Sequence, residues 1–543
     1  MTARRVVVAG FGMAGGRFVD ELLAREADGR ATGPLAITVV GAEPYPAYNR
    51  ALLSDVVAGR ADVAALSLGD PAAHAARGVD VRLGTSAVAV RLPPHGWAGG
   101  EDGGEMLLDD GTRVPFDRLV LATGAAPVVP ELAGLDPAAP PAGVTAMRTV
   151  DDAREIVAAC ANSRRALVLG GGLLGLEAAR GLAWRGLDVE VLHSGDHLLA
   201  GVLDAAGGTV LARSLRRLGV GVRTRTVTRA VTTRAGRLTG VVLADGTSLP
   251  ADLLVLACGV RPRVGLARRA GLSVGRGVVV DDALTTSDPR VLAVGDCAEH
   301  RGVVAGLVAP AWEQARIAAD VVSGARPDAR YGGHRPAVRL KAADVEVAAV
   351  GDTTPDPWTD EPGLDVVQLI DPGHGRYVKA VVRDGVVVGA AVVGDAGAAA
   401  ELRLLVERGS PAPAQLATLL LPGLRRDGGA GAGGATDPTA IPDRATVCRC
   451  NGVTKGALVR AWTTGARGAP ELARVTRATT GCGTCTDAVA GIAAWLAACD
   501  AGPGADPVAL PGAVALPGAG LGATAGPGPA TATPEPATTG GPR

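Results

Sequence analysis

The sequence predicts an α/β fold in which one supersecondary unit occurs twice, followed by a small α+β domain and a small helical module. The stretch RRVVVAGFGMAGGRFVDELL is typical of a buried strand, a glycine-rich turn and a helix. The same order returns in RRALVLGGGLLGLEAARGLAW, about 160 residues later. Near the far end, CRCNGV and GCGTC carry half of the eight cysteines in two close pairs. The repeated unit favours parallel sheets, and the cysteine pairs indicate a separate metal-binding module.

The first unit has the glycine spacing that allows a backbone to approach a pyrophosphate. Gly10, Gly12 and Gly15 form the pattern G-x-G-x-x-G where the strand meets the helix, so the helix N-terminus would face the phosphates. The next predicted strand, AITVVGAE, ends in Glu43, which is placed to accept hydrogen bonds from ribose hydroxyls. A single motif of this kind could equally be a turn in a glycine-rich chain.

The second unit argues against that alternative. Its glycines have the same spacing, at Gly170, Gly172 and Gly175, and again stand between an apolar strand and a helix. Two complete units predict two dinucleotide sites, each at the N-terminus of a helix.

Two further segments place small or acidic residues after apolar strands. LVLATGAAP contains Thr123 and Gly124, and TTSDPRVLAVGDCAEH contains Gly295 and Asp296. In this order, both resemble segments of the two-dinucleotide flavoprotein family, which includes the pyridine nucleotide-disulfide oxidoreductases. The resemblance implies a Rossmann-like fold with FAD in the first site, where Asp296 would lie against ribityl and ribose hydroxyls. It implies NADH or NADPH in the second site.

The resemblance also implies how the chain is divided. The second nucleotide domain is inserted into the first, so that the FAD-binding domain consists of two separate parts of the chain. The expected boundaries are 1–140 and 256–325 for the FAD-binding domain, 141–255 for the NAD(P)H-binding domain, 326–422 for a small interface domain, 423–443 for a flexible linker, 444–500 for the cysteine module and 501–543 for a disordered tail. The composition of 423–443 and 501–543, rich in Gly, Ala and Pro, predicts that the linker is flexible and the tail disordered.

Two residues of the second unit bear on the nicotinamide nucleotide. Glu177, within GLLGLEAA, matches the family position beside the nicotinamide, although a carboxylate in a first helical turn also stabilises the helix dipole. The strand after this helix ends at His193, where an acidic residue would favour NADH. No arginine cluster follows that would favour the 2′-phosphate of NADPH, and the choice of nucleotide stays open.

The scattered cysteines argue against a thiol relay beside the flavin. Disulfide reductases of the resembling family carry a redox cysteine pair in the first unit, whereas the first cysteine of this chain is Cys160. Cys160, Cys258 and Cys297 are predicted to be packing thiols. Electrons that reach the flavin must therefore leave by another route.

The paired cysteines offer such a route. They could bind zinc as four thiolates or hold a 2Fe-2S cluster. Their surroundings, CRCNGVTKGAL followed by TTGCGTC, resemble the bacterioferritin-associated ferredoxin-like domain, which implies the cluster. Thr454 would donate to a sulfur or cap the following helix. The implied ligands are Cys448, Cys450, Cys482 and Cys485.

Composition and charge exclude several classes of function. The net charge is −1 at pH 7 and no long run of Lys or Arg occurs, which argues against nucleic acid or an anionic membrane as a partner. Aromatic residues make up 2% of the chain, so few side chains could stack on bases. No apolar stretch is long enough to span a bilayer, and the scattered cysteines indicate a reducing compartment. We therefore expect a cytoplasmic protein.

Residues 1 to about 500 resemble the N-terminal part of assimilatory NAD(P)H nitrite reductase large subunits and the electron-transfer subunit of assimilatory nitrate reductase. AEPYPAYNRALLS, GLVAPAWEQARIAAD and the cysteine module carry this likeness. The segment YVKAVVRDGVVVGAAVVGD resembles the small interface domain of rubredoxin-reductase-like flavoenzymes. The likeness implies flavin contacts by Tyr48, Arg50, Trp312 and Glu313.

The resulting hypothesis is a flavin oxidoreductase that moves electrons from NAD(P)H through FAD and a 2Fe-2S cluster to an acceptor protein. The implied acceptor is the catalytic subunit of assimilatory nitrate or nitrite reductase, on another polypeptide, because only Cys499 follows Cys485 and a sirohaem domain would need more cysteines. Two alternatives stay open. The chain could be a general ferredoxin or rubredoxin reductase, or a zinc-stabilised, redox-regulated nucleotide-binding protein.

Overall fold

The structure is a computed structural model with side chains. It describes residues 2–93, 103–334, 336–342, 344–421, 438, 441–448, 450–481, 483 and 485–501. Most of the predicted linker and the predicted tail from residue 502 onward lie outside these residues. Within the described ranges, no helix combines the length and the apolar content needed to cross a bilayer.

Residues 4–127 contain the first repeated unit and a small antiparallel sheet. Their helices and strands are β1 (Arg4–Ala9), α1 (Met13–Ala27), β2 (Leu35–Gly41), α2 (Leu53–Val57), α3 (Pro71–Ala76), β3 (Asp80–Leu83), β4 (Ala87–Arg91), β5 (Gly104–Leu108), β6 (Arg113–Phe116), β7 (Arg118–Leu121) and β8 (Ala125–Pro127). The antiparallel sheet consists of β4, β5 and β6. The apolar runs of β1 and β7 are buried, as their sequences predict.

Residues 144–262 contain the second unit. Their elements are β9 (Val144–Ala146), α4 (Val150–Cys160), β10 (Arg165–Leu169), α5 (Leu173–Trp184), β11 (Asp188–Leu192), α6 (Ala205–Arg217), β12 (Val220–Arg223), β13 (Thr228–Arg234), β14 (Arg237–Leu243), β15 (Ser248–Pro250), β16 (Leu253–Leu256) and β17 (Val260–Pro262). A parallel sheet of this unit has the strand order β12-β11-β10-β16-β9.

After the second unit, the chain returns to the first. The elements of this part are α7 (Gly265–Arg269), β18 (Val278–Val280), β19 (Val291–Ala293), β20 (Ala298–His300) and α8 (Val308–Ser323). β19 pairs in parallel with β7 and completes a sheet of order β19-β7-β1-β2-β3. α8 packs against α1, and this contact includes a buried ion pair between Arg25 and Asp320, 2.8 Å apart.

A five-stranded antiparallel sheet and one helix follow. They are β21 (Ala337–Ala342), β22 (Val345–Gly351), β23 (Leu364–Asp371), β24 (Arg376–Arg383), β25 (Val386–Val393) and α9 (Ala396–Arg408). The strand order is β21-β22-β25-β24-β23. Asp204, which caps α6, joins this sheet to the second unit by accepting hydrogen bonds from Tyr377 Oη at 2.6 Å and Lys379 Nζ at 3.3 Å.

The cysteine module has its own small core. It contains β26 (Thr446–Cys448), β27 (Val453–Thr454), α10 (Lys455–Thr463), α11 (Gly468–Thr476) and α12 (Thr486–Ala501). Leu458, Trp462, Leu472 and Ile492 are buried between its helices. The architecture confirms the predicted α/β fold with two Rossmann-like units, a small α+β domain and a helical module.

Candidate functional site

The first glycine turn leaves no room for side chains at two of its three glycines. Gly10 has a φ of +116°, and a Cβ added there would lie 2.2 Å from the carbonyl oxygen of Ala122. A Cβ at Gly15 would lie 1.9 Å from the carbonyl oxygen of Gly10. Gly12 is different, because the nearest atoms to its added Cβ belong to the Arg50 side chain at 3.9 Å. The outer glycines therefore close the turn, and the middle one faces open space.

The second turn repeats these relationships. Gly170 has a φ of +125° and would place a Cβ 2.2 Å from the carbonyl oxygen of Ala257. A Cβ at Gly175 would lie 2.1 Å from the carbonyl oxygen of Gly170, whereas one at Gly172 would meet no other atom within 4 Å. Both turns thus have the open space at a helix N-terminus that a pyrophosphate requires.

One cavity of about 1070 Å³ joins the two turns. Its walls come from both repeated units and from the segment that follows β19. This volume is at the upper end of small-molecule sites, which suits an extended dinucleotide. Predicted residues that line the cavity are Gly10, Gly12, Glu43, Tyr48, Arg50, Thr123, Gly124, Gly172, Glu177, Gly295 and Asp296.

Glu43 stands where the sequence predicts, just after β2, and its carboxylate is held by two neighbours. Tyr48 Oη donates to Glu43 Oε2 at 2.7 Å, and Arg50 forms an ion pair with Glu43 Oε1. Burial, together with the Glu43 carboxylate, raises the pKa of Tyr48 far above its usual range, against the opposing effects of Arg50 and the Val150 amide. Tyr48 therefore remains a hydrogen-bond donor to Glu43 at any physiological pH.

Asp296 also lies in the cavity wall, and its partner was not predicted. Arg148 Nη2 donates to Asp296 Oδ2 at 2.7 Å, while its Nε donates to the carbonyl of Ala125 at 3.2 Å. Arg50 Nη1 in turn donates to the carbonyl of Arg148 at 3.3 Å. The local sequence AMRTV gives no sign of this role, because Arg148 meets Asp296 only through the return of the chain after β17.

Glu177 is buried in the second turn of α5 and faces the cavity. Its Oε2 accepts a hydrogen bond of 2.8 Å from Ser54 Oγ on α2, which is likewise buried. A buried carboxylate needs such partners, so Ser54 helps to hold Glu177 in the wall. Ser54 belongs to the stretch AEPYPAYNRALLS, whose local pattern gives no sign of a contact with Glu177.

His193 follows β11, at the position that the sequence predicts. Its Nδ1 accepts a hydrogen bond from the Gly171 amide at 3.3 Å, within the second glycine turn. This contact places the ring proton on Nε2. No acidic group stands at this position to repel a 2′-phosphate, and the structure thus leaves both nicotinamide nucleotides admissible.

The structure does not bring Trp312 and Glu313 into the cavity. Trp312 Nε1 donates to the carbonyl of Met13 at 3.1 Å, and its ring faces the cysteine module at Gly481. Glu313 lies near Tyr331. Burial and, to a smaller extent, the charge of Glu313 raise the pKa of the Tyr331 phenol to about 12. Neither of these two side chains lines the cavity, and the direct flavin contact expected of them stays a prediction.

Three of the four predicted metal ligands are described. Cys448 and Cys485 are buried, Cys450 is partly buried, and none of these three forms a disulfide. A hydrogen bond with Cys485 lowers the pKa of Cys448 to about 6, against the opposing effect of burial, so a thiolate is favoured there. Asn451 Nδ2 lies 3.7 Å from Cys448 Sγ as a further donor.

The fourth predicted ligand, Cys482, lies outside the described residues. Among the residues that are described, no three His, Cys, Asp or Glu side chains are gathered closely enough to hold a metal ion. The adjoining cysteines nevertheless have the thiolate chemistry that either zinc or a 2Fe-2S cluster requires. Thr454 caps α10 by accepting a hydrogen bond from the Ala457 amide at 3.2 Å.

The scattered cysteines have packing environments. Cys297 is fully buried, and its thiol lies 3.3 Å from the carbonyl of Leu121. Burial raises the pKa of the Cys160, Cys258 and Cys297 thiols, which disfavours reactive thiolates.

Three protein families match consecutive parts of the chain. Residues 4–320 match the pyridine nucleotide-disulphide oxidoreductase family, and residues 336–410 match the rubredoxin NAD+ reductase C-terminal domain. Residues 446–495 match the BFD-like [2Fe-2S] binding domain.

Curated relatives share the same arrangement over most of the chain. The nitrite reductase [NAD(P)H] of Bacillus subtilis is 34% identical over 487 residues, which cover 89% of this chain and 57% of the relative. The assimilatory nitrate reductase electron transfer subunit of the same organism is 33% identical, with 89% and 59% covered. The nitrite reductase [NAD(P)H] large subunit of Klebsiella oxytoca is 35% identical, with 90% and 48% covered. The chain thus spans about half to three fifths of the length of these relatives.

Solved structures resemble the flavoprotein part. The putidaredoxin reductase–putidaredoxin complex superposes with a TM-score of 0.66 at 25% identity, over 78% of this chain and 100% of that one. An NAD-dependent persulfide reductase from A. fulgidus gives a TM-score of 0.65 at 26% identity, over 75% of this chain and 77% of that one.

Proposed function

Because the chain belongs to the pyridine nucleotide-disulphide oxidoreductase family, we propose that it transfers electrons from NADH or NADPH to FAD and onward through a 2Fe-2S cluster. The observation that carries this proposal is the cavity that joins both glycine turns, with the cysteine module packed beside it. When bound, FAD accepts hydride from the nicotinamide and the cluster carries single electrons. The protein's own residues bind, orient and screen these groups.

The two glycine turns would bind the pyrophosphates of the two dinucleotides through backbone amides at helix N-termini. Gly15, Gly170 and Gly175 shape these turns without lining the cavity, whereas Gly10 both shapes its turn and lines the cavity. Glu43 would accept ribose hydrogen bonds on the FAD side, with Tyr48 and Arg50 holding its carboxylate in place. Arg148 would hold Asp296 in the same way. Thr123 and Gly124 would form the wall between them.

Glu177 would lie beside the nicotinamide, since it faces the cavity from the helix that begins at the second turn. Ser54 donates to one of its oxygens and so restricts the rotamers of the carboxylate. The resulting geometry would fix the nicotinamide against the flavin, and positioning of this kind can supply a large part of the rate.

The cysteine module would hold the cluster through Cys448, Cys450, Cys482 and Cys485. The match to a 2Fe-2S binding domain favours iron over zinc. Asn451 would donate to the Cys448 sulfur, and donors of this kind raise the reduction potential of a thiolate-bound centre. We also propose the boundaries of the domains, the linker and the tail that the sequence analysis gives.

The acceptor is proposed to be the catalytic part of an assimilatory nitrate or nitrite reductase, and the location is proposed to be cytoplasmic. The relatives over most of the chain are a nitrate reductase electron transfer subunit and nitrite reductases, which supports this acceptor. A second candidate is a ferredoxin or rubredoxin reductase. The match of residues 336–410 to the C-terminal domain of rubredoxin NAD+ reductase favours that candidate.

An anaerobic titration of the purified chain with NADH and then NADPH tests the proposal. The visible spectrum, with iron and acid-labile sulfide per chain, should show flavin bleaching and about two irons. The nucleotide that bleaches the flavin at lower concentration is the preferred donor. Bleaching with zinc in place of iron would refute the relay and leave the cysteines as a structural clip.

A further inference from the structure

One buried side-chain amide, that of Asn49, connects the cysteine module to the first repeated unit, which we call the flavin side of the molecule. Asn49 Nδ2 donates to the backbone carbonyl of Thr480 at 2.8 Å and to that of Gly481 at 2.6 Å. Asn49 is only 1% exposed, and its Oδ1 accepts a hydrogen bond from the Ala51 amide at 3.0 Å. The residue next to Asn49 is Arg50, which lines the cavity. The loop that leads into Cys482 is therefore attached directly behind the cavity wall.

Trp312 forms the second part of this contact. Its indole Nε1 is bonded to the carbonyl of Met13, which lines the cavity beside Gly12. On the other side, a Cβ added at Gly481 would lie 2.7 Å from the Trp312 ring and 2.7 Å from Cys450 Cβ. Only glycine allows so close an approach. The indole ring thus separates the first glycine turn from the cysteine loop and touches both.

Charged residues of α1 complete the contact. Arg477 forms an ion pair with Asp20, and Arg17 Nη1 donates to Asn451 Oδ1 at 2.7 Å. Burial of Asp20 would raise its pKa, but hydrogen bonds with His74 and Arg477 outweigh it, and the pKa lies below the usual value. Asp20 is therefore charged at neutral pH. The side chains of Asp20 and Arg477 are 25% and 31% exposed, so salt can screen this pair.

We propose that this contact is a releasable docking site: Asn49 and Trp312 position the cysteine loop to receive electrons, and the module leaves them to meet its acceptor. Electron transfer through the contact rests on the proposed function, whereas docking itself does not. The hydrogen bonds and ion pairs described above are typical of transient contacts, because permanent interfaces are more apolar. The Gly- and Ala-rich composition of 423–443 is suited to a tether that permits release.

Asn49→Asp tests docking with almost no change of shape. The carboxylate can still accept from the Ala51 amide, but it cannot donate to the carbonyls of Thr480 and Gly481. Hydrogen–deuterium exchange of the full chain should show faster exchange over residues 477–485, by about tenfold. Asn162→Asp, at an exposed position after α4, is the matched control and should exchange like the wild type. Wild-type exchange in Asn49→Asp would overturn the proposal.

A second variant guards against a folding defect in the first. Arg477→Gln lies on the module surface and leaves the flavin side unchanged. We expect exchange over residues 477–485 to rise roughly two- to fivefold at low ionic strength, and high salt should remove the difference from the wild type. Equal exchange in variant and wild type at low salt would contradict a releasable, charge-assisted contact.

Stopped-flow absorbance separates positioning from stability. In Asn49→Asp and Trp312→Ala, flavin bleaching by the nicotinamide nucleotide should keep its rate, while the later iron–sulfur change should slow at least tenfold. Trp312→Phe retains an aromatic ring and should restore most of that rate. An unchanged iron–sulfur phase in Trp312→Ala would refute the positioning role. A chain that contains zinc would show no such phase, and hydrogen exchange would still decide whether the module docks.

Discussion

The hydroxyl of Ser54 on α2 donates a hydrogen bond of 2.8 Å to the carboxylate of Glu177 on α5. Both side chains are buried, and the bond crosses from the first repeated unit to the second. The wall that would face the nicotinamide is therefore built jointly by two domains. Any change in their relative position would move Glu177.

Glu177→Gln should slow flavin reduction by NADH or NADPH about tenfold, because the amide changes both charge and hydrogen bonding at the position proposed to lie beside the nicotinamide. FAD content and chemical reduction by dithionite should stay unchanged. Rapid-mixing absorbance measures the first effect. Glu155→Gln, at an exposed position of α4, is the control. A rate equal to the wild type would place Glu177 outside the reaction and leave it as a structural carboxylate.

Gly170→Ala and Gly172→Ala should separate folding from binding within one turn. At Gly170, positive φ and the Ala257 carbonyl 2.2 Å away should lower the free energy of unfolding by about 1–3 kcal/mol. At Gly172, φ is −84° and no atom lies within 4 Å of an added Cβ, so urea unfolding should match the wild type. The added methyl should instead raise the KM for the nicotinamide nucleotide. The reverse pattern would mean that the middle glycine does not face the ligand.

Cys450→Ser should leave flavin reduction intact and abolish transfer to an acceptor protein, because Cys450 is a proposed ligand of the cluster. Iron per chain should fall together with the iron–sulfur absorbance. Cys499→Ser provides the control, since Cys499 is exposed at the end of α12 and forms no disulfide. Transfer that persists in Cys450→Ser with iron absent would show that electrons leave the flavin by another path.

Asp204→Asn should destabilise the junction between the second unit and the antiparallel sheet. The substitution removes the negative charge that pairs with buried Lys379. We therefore expect the free energy of unfolding to fall by about 1–3 kcal/mol at pH 7. Burial alone would raise the pKa of Asp204, but the Gly207 amide, Tyr377 and Lys379 together lower it.

The pH dependence of this loss has a definite sign. Since the folded pKa is depressed, the contribution of Asp204 is complete above the ordinary value of 3.8 and is lost as the pH falls through the folded pKa. Urea titrations at pH 7 and at pH below 3.8 should therefore show the difference between variant and wild type shrinking in acid. A difference that is independent of pH would show that charge at Asp204 is unimportant.

The sequence predicted the features that depend on local spacing. Each glycine turn lies within a few residues of its strand and helix, so its shape follows from steric rules that act along the chain. The class of fold and the family followed from the order of such segments, and the comparisons confirm both.

Contacts between distant segments could not be predicted in this way. Trp312 was expected at the flavin from family likeness, but its surroundings depend on where the cysteine module packs. Arg148 and Ser54 become site residues only because the chain crosses between domains twice. A local pattern of charge or hydrophobicity cannot predict a contact between residues that lie so far apart in the chain.

The pairing of β19 with the edge of β7 also affects the order in which the chain can fold while it is being synthesised. Four strands of the first sheet lie within residues 4–121. Its fifth strand, β19, is synthesised only after the whole inserted unit. Until Val291–Ala293 emerges, one side of β7 lacks its backbone partner, which is an aggregation hazard for a nascent chain. The inserted unit contains all the strands of its own parallel sheet and can close first. We therefore expect the middle of the polypeptide to reach its native structure before its beginning.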